Sequence, residues 1–298
     1  MPTPPSPLKL ERLTKYYGAH RGVEELTLAA EPGELLGFLG PNGSGKTTTI
    51  RVLMGLLPPT SGRAWVAGLD VQRQGVEVRR RVGYLPGDVA LYKERTGEEL
   101  LKFALRIRGV RQAPRALEVA RALDATMDRT IKTLSRGMRQ KVALVLTLAH
   151  DPELLLLDEP TSGLDPLAQR TVLELLRQER ERGKTVFFSS HALWEAEDIC
   201  ERVAILREGR LVVLESIEKL RERKHKVVTV AYTGAPPNVE ELEDAEVLWR
   251  RDSRMAFRVR GEVNRLLACL QKYDLRDLTI QEPSLEEVFL DYYRKAGT

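Results

Sequence analysis

Cysteine is scarce in this 298-residue sequence: Cys200 and Cys269 stand far apart, with no CxxC spacing. That excludes a disulfide framework and a cysteine-based zinc site, and it suits a reducing compartment. Aromatic residues make up 6% of the chain. None interleave with the two basic clusters, Arg79-Arg80-Arg81 and Arg223-Lys224-His225-Lys226, which therefore read as solvated faces rather than nucleic-acid footprints. No direct nucleic-acid partner is expected. An excess of one charge is missing too, since 47 Lys and Arg against 43 Asp and Glu leave a net charge of +4. Long apolar runs are also absent. The most apolar stretch, Val142 to Leu157, is broken by His150, Asp151, Pro152 and Glu153, and a bilayer span needs about 20 mostly apolar residues. The first residues are rich in proline (Pro2, Pro4, Pro5, Pro7) and lack the apolar core of a secretion signal. The expectation is a cytoplasmic protein whose membrane role, if it has one, comes through a partner.

What remains is 42% apolar and 30% charged, the composition of an ordinary soluble, well-cored protein. Strands are read at Leu8 to Thr14, Val23 to Ala30, Glu34 to Leu39, Arg63 to Val66, Arg81 to Leu85, Leu154 to Leu157 and Lys184 to Ser189. Helices are read at Lys46 to Leu57 and Gln169 to Arg182. From about Thr96 to Ala149 the apolar spacing turns helical, the pattern of an inserted subdomain. Val203 to Leu214 reads as a hairpin turning at Glu208-Gly209. Strands feeding helices repeatedly imply an α/β sheet with helices on its faces. After about residue 216 the texture changes, with strands at Val227 to Tyr232, Glu246 to Trp249 and Met255 to Val259. Helices follow there at Val263 to Lys272 and Leu285 to Arg294, so 217–298 reads as a small α+β domain.

Three short runs carry the chemistry. Gly40-Pro41-Asn42-Gly43-Ser44-Gly45-Lys46-Thr47 fits G-x-x-x-x-G-K-[ST] in full, between a strand and a helix, with Thr48 adjoining it. Its glycines turn backbone N–H groups onto phosphate oxygens. Lys46 reaches the terminal phosphates, and the Thr47 hydroxyl is placed to ligate Mg²⁺. Asp158, after four leucines, stands where a strand-end carboxylate holds Mg²⁺. Glu159 follows, expected on the opposite side of an extended backbone, where it can activate the attacking water. His191 follows the strand Lys184 to Ser189 on the same expected edge, and a neutral imidazole there can hydrogen-bond the γ-phosphate and the water. The third run, Leu134-Ser135-Arg136-Gly137-Met138-Arg139-Gln140, places a capping serine at a helix start, a second phosphate-binding feature. One nucleotide does not readily need both.

In this order the phosphate loop, LSRGMRQ, LLLLDEPTSGLD and the strand ending Ser189-Ser190-His191 resemble the ATP-binding subunit of an ABC transporter, over about residues 8 to 216. The resemblance implies a P-loop NTPase fold of the ABC ATPase kind within 1–216: a RecA-like core at 8–87 and 151–216, and a helical subdomain at about 88–150. It implies ATP and Mg²⁺ as ligands, and catalysis by Glu159 and His191. Tyr17 would stack on adenine, or else is strand-edge packing. Ser135, Gly137 and Met138 would contact ATP held by a second subunit, or Ser135 merely caps its own helix. Asp165 would couple the two subunits, in a homo- or heterodimer. Thr14-Lys15-Tyr16-Tyr17-Gly18, the Ser-Arg-Gly-Met wording and the tail Glu282 to Phe289 are similar to exporters of the ABC-2 branch, whose transmembrane permease is a separate chain. That implies peripheral attachment to the cytoplasmic membrane through the permease. The usual glutamine after Gly83-Tyr84-Leu85-Pro86 is replaced by Gly87, leaving Asp88 as the neighbouring candidate. A soluble ABC ATPase acting on nucleic acid or ribosomes is the rival expectation.

Overall fold

Apolar residues on one side of each strand and charges on the other start the chain as a half-buried antiparallel pair, β1 (Leu8–Tyr17) and β2 (His20–Ala30), with Leu8, Leu10, Leu13, Val23, Leu26 and Leu28 inside. All five residues of β3 (Leu35–Leu39) are buried, as a strand covered on both faces requires. The computed structural model describes residues 6–222, 226–238, 245–259 and 263–281.

After β3 come α1 (Lys46–Leu53), β4 (Ser61–Val66), β5 (Leu69–Asp70), α2 (Gly75–Arg81) and β6 (Val82–Leu85). α1 ends four residues before the expected Leu57. Gly55 takes the left-handed conformation (φ 60°), and the N–H groups of Gly55 and Leu56 close onto the carbonyls of Val52 and Arg51. This is the paired capping pattern that glycine permits at a helix end, and it acts before the prolines are reached. Arg79 of α2, a helix the sequence reading left out, donates Nη1 to the carbonyls of Met54 and Gly55 at 3.0 and 3.3 Å. The arginine run is thus partly structural.

The helical stretch resolves into α3 (Gly97–Arg108), α4 (Pro114–Ala122) and α5 (Arg136–Leu148). Thr96 and Glu99 form a reciprocal capping box at the start of α3. Leu100, Ile131, Leu134 and Val142 form a separate apolar cluster, with Met127 and Met138 packed against it. Then follow β7 (Leu154–Asp158), α6 (Pro166–Glu181), β8 (Thr185–Ser190), α7 (Leu193–Ile199), β9 (Arg202–Arg207) and β10 (Arg210–Ser216). The β9–β10 hairpin turns at Glu208 and Gly209, both at positive φ (48° and 80°).

Two sheets share one core. The larger has the order β10-β9-β3-β8-β7-β6, parallel except for β10; the smaller, antiparallel, has the order β2-β1-β4-β5. Ile50, Val52 and Leu53 of α1 join residues of both sheets in a single apolar cluster. Register sets the functional edge: Leu39 of β3 lies beside Ser190 of β8, and Ser189 lies beside Asp158 of β7. The carboxyl ends of three adjacent strands therefore converge, where open α/β sheets bind ligands.

The chain divides into two compact units, 1–217 and 218–298. α8 (Ile217–Glu222) begins at this division, and the second unit continues with β11 (Lys226–Thr233), β12 (Ala245–Arg251), β13 (Arg254–Val259), α9 (Val263–Leu270) and β14 (Asp274–Gln281). Its sheet is antiparallel, in the order β12-β13-β11-β14, and Leu266 and Leu270 of α9 pack with Val228, Val230, Phe257 and Val259. β14 was not expected from sequence: Asp274, Arg276, Asp277 and Gln281 make it read as polar loop. It is an edge strand paired only with β11. The expected helix Leu285 to Arg294 and the tail motif from Glu282 lie outside the described residues.

Candidate functional site: a phosphate loop and its carboxylates

The loop after β3 turns back into α1 through Gly45, whose φ of 105° is left-handed. A Cβ there would stand 2.4 Å from Val23 Cγ1 and 2.5 Å from the Gly22 carbonyl, so glycine is required by space as well as by conformation. Gly40, Ser44 and Lys46 are buried, whereas Pro41, Asn42 and Gly43 face outward and Thr47 and Thr48 are half-buried. Lys46 Nζ donates to the carbonyls of Gly40 (2.7 Å) and Pro41 (3.2 Å) and lies 3.6 Å from Glu159 Oε1. Burial pushes its pKa down, opposed by the charges of Glu159 and Asp158. A buried ammonium so placed is drawn to further negative charge.

Asp158 ends β7 with its carboxylate buried. Ser189 Oγ donates to Oδ1 at 2.5 Å, while Oδ2, also buried, has no partner. Ser44 Oγ is likewise buried without a partner. Two orphaned oxygens beside a buried lysine form a polar interior that the chain alone does not satisfy.

The expectation that Glu159 continues an extended backbone is corrected by the structure. Its φ is 49°, a left-handed turn that costs a non-glycine residue about 1–2 kcal/mol. The turn is held by its N–H, which donates to the carbonyl (3.2 Å) and Oγ (3.0 Å) of Ser189. The side chain is thereby brought toward the phosphate loop, with Oε1 3.6 Å from Lys46 Nζ and 3.4 Å from His191 Nδ1. Lys46, Asp158, Glu159 and His191 are thus assembled from three neighbouring strand ends.

Tyr17 closes one side. Its hydroxyl is 3.3 Å from Thr48 Oγ1, and the Lys15 ammonium lies 5.5 Å from the ring centroid. The ring is 45% exposed, which leaves aromatic surface open beside the start of α1.

The remaining candidates have their hydrogen bonds elsewhere. Ser135 caps α5, accepting from the Met138 N–H at 3.1 Å. The Met138 side chain points into the helical cluster, its Sδ accepting from the Thr126 N–H, so only its backbone remains at the helix start. Gly137 is pressed on the loop after β7, since a Cβ there would stand 2.9 Å from the Gly163 carbonyl. Asp165 caps α6, accepting from the N–H groups of Leu167 and Ala168, and these bonds hold its carboxyl below the usual range. Gly87 packs directly on Asp158: a Cβ would lie 2.9 Å from Oδ2, so a longer side chain here requires the Asp158 carboxylate to shift. Asp88 lines an adjoining cavity of about 420 Å³ with Gly87, Arg136, Arg139, Gln140 and Ser162.

Sequence reasoning missed Ser189, Gln140 and Glu195. Glu195 is buried on α7 and accepts from Thr161 Oγ1 (2.6 Å) and Ser190 Oγ (2.5 Å), joining the loops that carry Glu159 and His191. Only the position of Ser189 beside Asp158 offered a signal, and that required the sheet register.

Fold and site together define a P-loop NTPase. The sequence pattern described as "ABC transporter" matches residues 23–162. The chain is 34% identical over 294 residues to Nod factor export ATP-binding protein I of Cupriavidus metallidurans, covering 95% of this chain and 96% of that one. It is 33% identical over 294 residues to bacitracin transport ATP-binding protein BcrA of Bacillus licheniformis, with 95% and 96% covered. A dimeric ATP-binding cassette solved in a post-hydrolysis state with ADP and Pi superposes with a TM-score of 0.65 at 25% identity, over 70% of this chain and 98% of that one. The chain belongs to the ABC transporter family and is one of its ATP-binding, ATP-hydrolysing cassettes. No helix among the described residues is long and apolar enough to cross a membrane.

Proposed function

We propose that this chain is the motor subunit of an ABC exporter: two cassettes close head to tail around two Mg-ATP molecules and drive separate transmembrane subunits, which attach them to the membrane. The observation that carries the reading is the Glu159 carboxylate standing between Lys46 and His191 at the mouth of the phosphate loop. Glu159 would take the proton of the attacking water, and His191 would orient that water and the γ-phosphate. Lys46 would exchange its loop carbonyls for phosphate oxygens. Tyr17 would stack on adenine.

Asp158 and Thr47 fit a Mg²⁺ ion. The free Oδ2 supplies an acceptor, and no group of three or more His, Cys, Asp or Glu among the described residues suits a metal by itself. A magnesium ion here would rely on phosphate and water ligands, as is usual, and would neutralise charge on the β- and γ-phosphates. Gly87 gives no side chain to that ion. The Ser135 helix start would bind the γ-phosphate of ATP held by the second chain, with Gly137 allowing close approach and Met138 contributing backbone rather than side chain. Asp165, fixed at the start of α6, would lie along the interface between chains.

Export is supported by the names of the relatives, one a bacitracin transport protein and one a Nod factor export protein. The test is steady-state ATP hydrolysis by Glu159→Gln and His191→Ala. Each should retain ATP binding, and Glu159→Gln should lose at least about 100-fold in kcat, the scale of a removed general base. Hydrolysis by Glu159→Gln at the wild-type rate would overturn the assignment.

A further inference from the structure

The first turns of α5 lie along residues 159–163 of their own chain. Arg136 Nη2 is 3.3 Å from Ser162 Oγ, and Gly137 sits against the Gly163 carbonyl. One turn on, Gln140 is buried, and its Nε2 donates to the Pro160 carbonyl at 3.0 Å and to that of Glu159 at 3.4 Å. The left-handed turn at Glu159 is therefore held on two sides: Ser189 takes its N–H, and Gln140 binds its carbonyl and the next one. Unfavourable backbone conformations persist where surroundings over-determine them, and they concentrate where geometry matters to chemistry. The direction of the Glu159 side chain, toward Lys46 and His191, follows from that backbone.

We propose that Gln140 is a positioning residue that transmits engagement of the Ser135–Gly137 helix start, by a nucleotide held on a second chain, to the orientation of this chain's own Glu159. The inference rests on the shared site and on the role of Glu159 proposed above. A phosphate at the start of α5 pulls on the helix through its N-terminal N–H groups. The Gln140 amide is rigidly carried by that helix, so its two hydrogen bonds shift with it and move the 159–160 peptides. Each site then reports its occupancy to the other, and hydrolysis depends cooperatively on ATP. Such coupling needs a physical connection with a differential response to the ligand, and the amide bridge supplies one.

The test uses the full-length chain with Gln140→Met, which keeps length but loses the donor, and Gln140→Glu, which keeps shape but offers only acceptors to two carbonyls. MgATP-dependent hydrolysis, binding of a fluorescent ATP analogue and thermal melting are measured for each, with assays run well below the melting midpoint. The expected result is nucleotide affinity within about twofold of wild type, a kcat about 10- to 100-fold lower, and a Hill coefficient that falls from above one to one. A wild-type kcat and Hill coefficient in either folded variant would overturn the proposal. So would a lowered kcat with an unchanged Hill coefficient, the mark of a merely structural residue. Glu159→Gln separates the two levels: if it hydrolyses normally, the underlying reading fails whatever the Gln140 variants do.

Discussion

The two units of this chain are built from similar pieces, sheets with helices packed on them, yet their interiors differ. Among the described residues, every buried polar or charged side chain belongs to the first unit, including Lys46, Gln140, Asp158, Glu179 and Glu195. The second unit buries Val228, Val230, Phe257 and Leu266, with Tyr232 as its most polar core member. Burying a charge is costly unless it is paired, so groups held this way mark either function or a deliberate lock. The first unit shows both. Lys46 and Asp158 face the phosphate loop, whereas Glu179 on α6, fully buried, receives Arg115 of α4 at 2.7 Å and Lys184 Nζ at 2.5 Å and ties the helical insertion to the core.

The sharpest way to break this contrast is Phe257→Ala. Emptying the centre of the second core should cost about 4 kcal/mol and unfold that unit first. ATP hydrolysis by the first unit should survive; a parallel loss of activity and of the second melting transition would make the units one cooperative body. Glu179→Gln should cost about 3 kcal/mol by leaving Arg115 and Lys184 around a neutral amide. Hydrogen exchange should rise in α4 more than in β11 to β14, and uniform protection loss would contradict the lock.

His150 gives a pH-dependent version. Burial, aided by the charge of Arg108, lowers its pKa to about 4 from an ordinary value near 6.5. Its folded pKa lies below the unfolded one, so the unfolded chain binds the proton first. Stability is therefore complete above about pH 6.5 and lost as pH falls toward 4, by about 2–3 kcal/mol. His150→Gln should flatten that window, measured by urea unfolding of the first unit from pH 7 to 4.5. The smallest effect is expected for Tyr17→Ala, a loss of about 1–2 kcal/mol in ATP affinity with kcat retained, as for an aromatic ring that stacks on a base. Titration with ATP and with inorganic triphosphate separates the two readings of Tyr17: only the base-bearing ligand should weaken.

Much of the first unit was legible because its chemistry imposes residue type and spacing together. The phosphate loop needs Gly45 at a left-handed turn, and Asp158 needs a buried strand before it. What stayed hidden depends on contacts distant in sequence. The turn at Glu159 is held by Ser189, 30 residues away, and by Gln140, 19 residues away. Nothing in the local pattern around Glu159 signals either partner. Gly87 was legible as a substitution, but not how closely its backbone approaches the Asp158 carboxylate. The second unit was less legible because its edge strand β14 buries little and alternates weakly.

The central claim is that this chain's Ser135 helix start completes the nucleotide site of another chain. Light scattering of full-length Glu159→Gln with and without MgATP tests it most directly, alone and combined with Ser135→Arg. Where the second chain is another copy of this one, ATP should double the mass of Glu159→Gln, while the double variant should still bind ATP but stay at the single-chain mass. A doubling that Ser135→Arg leaves intact would contradict it.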